Sequence, residues 1–240
     1  MIKKSTKKLE FEHFTKLSNE WWDPYGKFKI LHILAPLRIE YIKKMISVKN
    51  DKQELLKKIK ILDIGCGGGL ICEPLARMGA NVTGIDFVYE NIIVAKKHSK
   101  KSNLNIKYLH QDIENIKLNL KYDVIIILEV LEHLDNWKKL INRISKNLKP
   151  KGKIIISTIN RNIMSKIFAI FVAENILKFV PKKTHDYHKL IKPKELSSLL
   201  IENGFDILDI TGLVFNPISS EWILKKNNSK INYFFTAIKD

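Results

Sequence analysis

The sequence predicts one α/β domain built on a mostly parallel, seven-stranded sheet with helices on both faces. Three observations carry this expectation. From residue 59 onward, short apolar runs alternate with segments of helical spacing. The first of these runs ends in a cluster of glycines. The run Val124-Ile125-Ile126-Ile127-Leu128 is apolar without interruption, as a strand covered on both faces must be. Strands separated by helices close into right-handed βαβ units, and hence into a parallel sheet.

Taken in order, residues 9–47 have helical spacing, carried early by Leu9, Phe11, Phe14, Leu17 and Trp21-Trp22 and late by Ile39, Tyr41 and Ile42. Asp23-Pro24-Tyr25-Gly26 is a turn inside that stretch. A charged approach, 51–60, leads to a strand over 59–64. Helix 70–78, strand 81–85, helix 90–101 and strand 106–109 follow. Strand 122–128 is the buried one. Helix 137–148 is stopped by Leu148-Lys149-Pro150-Lys151-Gly152, and strand 153–157 is the fifth. The alternation breaks over 160–189 and resumes with helix 193–203, strand 205–212 and a last run, 232–238, that could add an edge strand. The whole of 1–240 is therefore read as one domain with an N-terminal helical extension (1–50) and an insertion after strand five (160–189).

Composition narrows the partners. Lys and Arg number 42 against 25 Asp and Glu, a net charge of +17. That favours anionic partners such as nucleic acid, acidic lipid or an acidic substrate. The lysines are scattered, so compositional drift is an equal reading. Two cysteines, Cys66 and Cys72, are too few for a disulfide framework and lack metal-site spacing. The start Met1-Ile-Lys-Lys lacks an apolar stretch after its positive charge, and no run of about 18 apolar residues occurs, so neither a secretory signal nor a spanning helix is expected. The expected compartment is cytoplasmic.

Leu62-Asp63-Ile64-Gly65-Cys66-Gly67-Gly68-Gly69 leaves a strand and enters a helix. Ligands of open α/β sheets bind at such a place, outside the carboxyl ends of the strands. The loop lacks the third glycine of a dinucleotide fingerprint and the Gly-Lys-Ser/Thr of a triphosphate loop. Asp86 ends the next strand about 20 residues past Gly65, where a carboxylate can accept both ribose hydroxyls of a nucleoside. The bland reading is a tight turn with a helix cap beside it.

Together these features resemble the class I S-adenosylmethionine-dependent methyltransferases, which implies a Rossmann-like fold. The resemblance places Gly65 and Gly67 against the methionyl part of the cofactor and makes Asp86 the ribose acid. It assigns Gln111-Asp112 to the adenine and lines the same cleft with Leu128. Asp123 is left as structural. The turn before strand five carries Lys151 where Gly is commoner.

Further segments occur in one order: Trp21-Trp22-Asp23, Gly26, Phe28, Leu31-His32, Pro36-Leu37-Arg38, Glu129-Val130-Leu131-Glu132-His133, Ser157-Thr158-Ile159-Asn160-Arg161-Asn162, Pro181, Thr184-His185-Asp186 and Ile191-Lys192-Pro193. They are similar to those of the ubiquinone-biosynthesis O-methyltransferases, from about Phe11 to the C-terminus, with Ala35 where that family usually has Asn. The resemblance implies methylation of a hydroxyl on polyprenylated catechol-type intermediates, 3-demethylubiquinol and 2-polyprenyl-6-hydroxyphenol. It pairs Arg38 with the cofactor's methionyl carboxylate, which a guanidinium can bind bidentately. Other enzymes of that pathway become candidate partners.

A phenol loses its proton near pH 10, so a base or a cation must help at neutral pH. Glu129, Glu132 and His133 follow strand four, and their i, i+3, i+4 spacing puts them on one face of a helical turn. Such a set could hold a divalent cation, for which the resemblance implies magnesium. Because magnesium prefers oxygen, His133 could act instead as general base. A helix start capped by two carboxylates is the bland alternative, and His185-Asp186 is a second acid–base candidate no stronger than a loop hydrogen bond.

Residues 163–183 combine Ile163, Ile167, Phe168, Ile170 and Phe171 with Lys166, Lys178, Lys182 and Lys183. That suits a helix in a bilayer interface against anionic headgroups, giving a peripheral place on the inner face of the membrane; a lid packed on the protein's own core is the alternative. The charge also prompts an RNA methyltransferase as rival. However, Glu129-Val130-Leu131-Glu132 stands where base-amino methylation usually has Asn/Asp-Pro-Pro-aromatic, no cleft cysteine serves base-carbon chemistry, and no RNA-binding module is visible. Nucleic acid is therefore not expected. A non-catalytic membrane-surface protein of the same fold is the other alternative.

Overall fold

The computed structural model describes residue 15 and residues 17–46, 56–165 and 187–240. After a short 3-10 turn at Ser18–Glu20, the elements are α1 (Lys29–Ile46), β1 (Lys60–Ile64), α2 (Cys72–Arg77), β2 (Asn81–Asp86), α3 (Tyr89–Lys101), β3 (Lys107–His110), β4 (Tyr122–Leu128), α4 (Trp137–Ile144), β5 (Leu148–Ile159), α5 (Pro193–Glu202), β6 (Phe205–Asn216), β7 (Glu221–Lys226) and β8 (Asn232–Lys239). They form one sheet in the order β3-β2-β1-β4-β5-β8-β6-β7.

β1 to β5 are mutually parallel, Ile64 of β1 lying between Ile85 of β2 and Ile127 of β4. β8 runs antiparallel between β5 and β6, and β7 is antiparallel on β6. The sheet thus has eight strands, not the seven expected, and the last run is an interior strand rather than an edge. β7 is the edge, and the sequence reading missed it. The helix expected to reach residue 148 ends at Ile144 and continues as the 3-10 turn Ser145–Asn147. Of the insertion 160–189, only 160–165 and 187–189 are described. Its apolar segment and His185-Asp186 lie outside the described residues.

β4 explains why both faces of the sheet need helices. Ile125 and Ile127 point into a layer with Leu140, Ile141 and Ile144 of α4 and Leu196 and Leu200 of α5. Val124 and Ile126 point the other way, among Tyr41 and Ile42 of α1, Leu75 of α2 and Ile92 of α3. Each isoleucine so buried contributes about 1.5–3 kcal/mol. Asp123, between those faces, accepts hydrogen bonds from the Lys60 amide (2.8 Å) and the Lys149 ammonium (2.7 Å), so it is the structural tie expected of it. Lys151 opens β5 with φ +58°, a left-handed conformation that glycine adopts without strain.

The chain passes from β1 outward to β2 and β3, then returns to place β4 on the other side of β1. The carboxyl ends of β1 and β4 therefore flank the topological switch, where such sheets bind ligands. A small third cluster covers this end: Leu17, Trp21 and Phe28 pack with Leu70, beside Trp22, Leu31 and Val94.

Candidate active site

The glycine loop follows β1 and is shaped by its neighbours. Gly65 has φ +77° and Gly67 φ +53°, both in the region that favours glycine. A β-carbon at Gly65 would stand 2.3 Å from Cγ2 of Val130, and one at Gly67 2.3 Å from Cη2 of Trp21. The backbone amides of Gly65 and Cys66 donate to the Ile85 carbonyl, which holds the loop against the end of β2.

Asp86 closes β2 with 4% exposure. Its Oδ2 accepts from the Gly67 amide (2.9 Å), and its Oδ1 from the Val88 amide (2.8 Å) and Asn91 Nδ2 (3.3 Å). Burial raises its pKa, and those three donors pull it back down. Asp63, beneath the loop, is pushed up to about 6, chiefly by burial, while the Cys72 thiol donates to it at 3.2 Å.

Leu128 ends β4, half-buried against the core layer of α1 to α3. The next residue, Glu129, has φ +55°, an uncommon conformation for a side-chain-bearing residue and one that clusters at functional sites. Its amide donates to the Ser157 carbonyl, and its Oε1 accepts from Ser157 Oγ (2.7 Å) and Asn232 Nδ2 (3.1 Å). Arg38 arrives from α1, 7% exposed, with Nη2 3.9 Å from the same oxygen. Burial lowers the Arg38 pKa, and the carboxylates of Glu129, Glu132 and Asp63 oppose that shift. Its Nε is buried without a hydrogen-bond partner.

Glu132, 4% exposed, lies in the 3-10 turn Leu131–His133. Its Oε2 accepts from Thr158 Oγ1 (2.9 Å), while Oε1 is buried without a partner. Burial first, and Glu129 second, push its pKa up to about 8. His133 completes the turn, half-buried.

Arg38, Glu129 and Glu132 therefore meet at the end of β4, next to the glycine loop through Val130. The expected helical face is corrected, however: Glu129 precedes the turn in a left-handed conformation. Glu129 Oε1 and Glu132 Oε2 already accept from protein donors, and the Arg38 guanidinium stands 3.9 Å from Glu129 Oε1, so the arrangement gives the expected divalent cation no support. Among the described residues no group of three His, Cys, Asp or Glu side chains is arranged to hold a metal ion. Asp112, expected beside the adenine, also has a structural role. Its two oxygens cap the turn after β3, accepting from the Glu114 amide (3.0 Å) and Asn115 Nδ2 (2.8 Å). Its neighbour Gln111 instead carries a buried, unpartnered Oε1.

For S-adenosylmethionine the residues do fit. An unpartnered donor at Arg38, an unpartnered acceptor at Gln111, a carboxylate at Asp86 and two glycines admitting close backbone approach surround the switch point. The sequence reading missed Asn91, Ser157, Thr158 and Asn232. Asn232 comes from β8, whose interior place gave it no local signal; Ser157 and Thr158 were visible only as part of a similar segment.

Comparison with known proteins agrees with this geometry. A family described as a methyltransferase domain matches residues 39–210. A ubiquinone biosynthesis O-methyltransferase of Rickettsia canadensis is 45% identical over 231 residues, 96% of this chain and 96% of that one. One from Pelagibacter ubique is 44% identical over 240 residues, covering 98% and 99%. The fold is also that of magnesium protoporphyrin IX methyltransferase from Synechocystis, solved with bound SAH, at TM-score 0.68, 19% identity and coverage of 98% and 100%. With this fold, and with relatives of that identity along nearly its whole length, the chain belongs to the ubiquinone biosynthesis O-methyltransferases, a family of S-adenosylmethionine-dependent enzymes.

Proposed function

We propose that the chain binds S-adenosylmethionine at the β1–β4 switch and methylates a hydroxyl of polyprenylated catechol-type intermediates, 3-demethylubiquinol and 2-polyprenyl-6-hydroxyphenol. The observation that carries this reading is the convergence of Arg38 and Glu129 at 3.9 Å beside the positive-φ glycines and Asp86. S-adenosylmethionine supplies a methyl group on a cationic sulfur. Arg38 Nε–H has no partner of its own and offers a charge-assisted bond to the methionyl carboxylate. Asp86 accepts the ribose hydroxyls, and Gln111 Oε1 accepts from the adenine amino group.

The substrate phenol must lose a proton whose ordinary pKa is about 10. His133 accepts it, and the phenol oxygen then forms the bond to the methyl carbon as the carbon–sulfur bond breaks. Glu129 is assigned to stabilise the imidazolium that results. No step is assigned to a divalent cation.

We also propose that 160–189 meets an anionic membrane, where a polyprenyl tail resides. Its described start exposes Ile163 (74%) and Met164 (52%), and the net charge of +17 favours such a surface. No helix among the described residues is long and apolar enough to cross a membrane.

The test is methyl transfer from labelled S-adenosylmethionine to a demethylated quinol, with transfer RNA as competing acceptor and acidic liposomes present or absent. Label in the quinol, with more turnover of a long-tailed quinol on liposomes, is the expected result. Label in RNA alone would overturn the reading.

A further inference from the structure

Resting on the cofactor reading above, we infer that Asn91 and Trp21 are positioning residues for the ribose-binding carboxylate. They form a relay from the N-terminal segment into the site. Trp21 Nε1 donates to Asn91 Oδ1 at 2.7 Å, and Asn91 Nδ2 donates to Asp86 Oδ1 at 3.3 Å. Asp86 Oδ2 in turn accepts from the Gly67 amide at 2.9 Å. The Trp21 ring lies over the same loop, where β-carbons at Gly67 and Gly68 would stand 2.3 and 2.5 Å from it. Phe28 stacks on the same ring, with centroids 4.1 Å apart. Trp22 adds a second grip, donating from Nε1 to the Gly68 carbonyl at 2.9 Å.

A carboxylate on a bare strand end can rotate. Here three donors, one of them Asn91, leave Asp86 a single orientation. The Asn91 amide is itself fixed, because the indole N–H can only donate, which identifies the facing atom as the amide oxygen and turns the amide NH2 to Asp86. A residue 70 positions earlier in the chain thereby sets the direction of the carboxylate and the height of the loop below it. Other titratable groups facing Asp86 are Asp63 on β1, the Cys66 thiol of the loop and His110 on β3.

Three variants test this, each with its melting temperature recorded: Asn91→Leu, Asn91→Asp and Trp21→Phe. Loss of one positioning bond raises KM for S-adenosylmethionine, and Kd for S-adenosylhomocysteine, by about three- to tenfold and leaves kcat within about twofold. Trp21→Phe keeps an aromatic ring beside Gly68 and removes the N–H together with the outer ring carbons that lie against Gly67, so its effect is read against the Asn91 variants, which leave that ring in place. Asn91→Asp sets a like charge beside Asp86, so its affinity recovers as pH falls from about 8 to 6, where that carboxyl binds a proton and donates. A packing role alone would not produce that pH dependence.

Asp86→Ala is the control. If it loses S-adenosylhomocysteine while the three variants bind like wild type, the positioning role is overturned and the cofactor reading stands. If wild type does not bind, or Asp86→Ala binds as well as wild type, the cofactor reading itself fails. Should the Asn91 variants not fold, Trp21→Phe decides alone, and unchanged KM there overturns the inference.

Discussion

Arg38 and Glu129 face each other at 3.9 Å, one from the middle of α1 and the other from the left-handed residue after β4. The pair joins the N-terminal helix to the carboxyl end of β4, and the guanidinium also faces Glu132 and Asp63. Arg38→Lys keeps the charge but loses the planar fork. Its cost in S-adenosylmethionine affinity is expected at about 1.5–3 kcal/mol, a rise in KM of roughly ten- to a hundredfold. Steady-state kinetics with varied cofactor measures it. An unchanged KM would place the methionyl carboxylate elsewhere.

Gly65 offers a test that separates space from backbone conformation. Gly65→Ala drives a β-carbon into Val130 and keeps a positive φ. The conformational part costs about 1–2 kcal/mol, and the collision adds to it. Combining Gly65→Ala with Val130→Ala should recover the collision part and leave the conformational part, as read by a double-mutant cycle in urea. Strictly additive losses would mean that Val130 does not set the loop.

Glu132 predicts a pH dependence of stability. Its pKa in the folded protein, about 8, lies above the ordinary carboxylate value, so the folded state holds a proton that the unfolded chain releases. Stability should therefore fall as pH rises from about 4 to 8. Glu132→Gln keeps the shape and removes the charge, so its melting temperature should decline less over that window. Parallel curves for wild type and variant would show that Glu132 is not what titrates.

Lys151 predicts a stabilising change. At φ +58°, Lys151→Gly relieves left-handed strain and adds unfolded-state entropy of opposite sign, for a net gain of about 0.5–1 kcal/mol. That is a rise of roughly 1–4 °C in Tm for a domain of this size. Calorimetry decides it, and activity should not change.

The parallel half of the fold was legible because each strand there is a local apolar run whose neighbours follow from βαβ handedness. Tyr122–Leu128 was placed to the residue. β7 escaped because Trp222-Ile223-Leu224 is a short run flanked by charge at Glu221 and Lys225, and its pairing with β6 depends on a turn with no glycine. β8 was found as a run but misplaced, since its partners on both sides are set by tertiary pairing. In the site, motif and spacing point to Gly65, Gly67, Asp86 and Glu129, and only the resemblance points to Arg38; the structure puts Arg38 beside Glu129 and Asp86 beside Gly67, while their roles rest on the tests above. The left-handed conformation of Glu129 was not legible, because local spacing assumes a regular helix. Asp112 was assigned to a ligand; an Asp two residues before an amide donor is also a cap, and here it is one. The grip of Trp21 on Gly67 joins two segments far apart in sequence, and nothing local encodes it.

The interior place of β8 also bears on how the chain comes to be folded during synthesis. β5 and β6 are made first, and each presents an open edge toward the gap that Asn232–Lys239 will fill. Until those residues have left the ribosome, the sheet is a parallel half and a hairpin that cannot be joined. Unpaired edges invite pairing with other chains, so this interval is when a nascent chain is most exposed to aggregation. Closure of the sheet is then a late, long-range event. It also delivers Asn232 to Glu129, so the same step that seals the sheet completes the cleft.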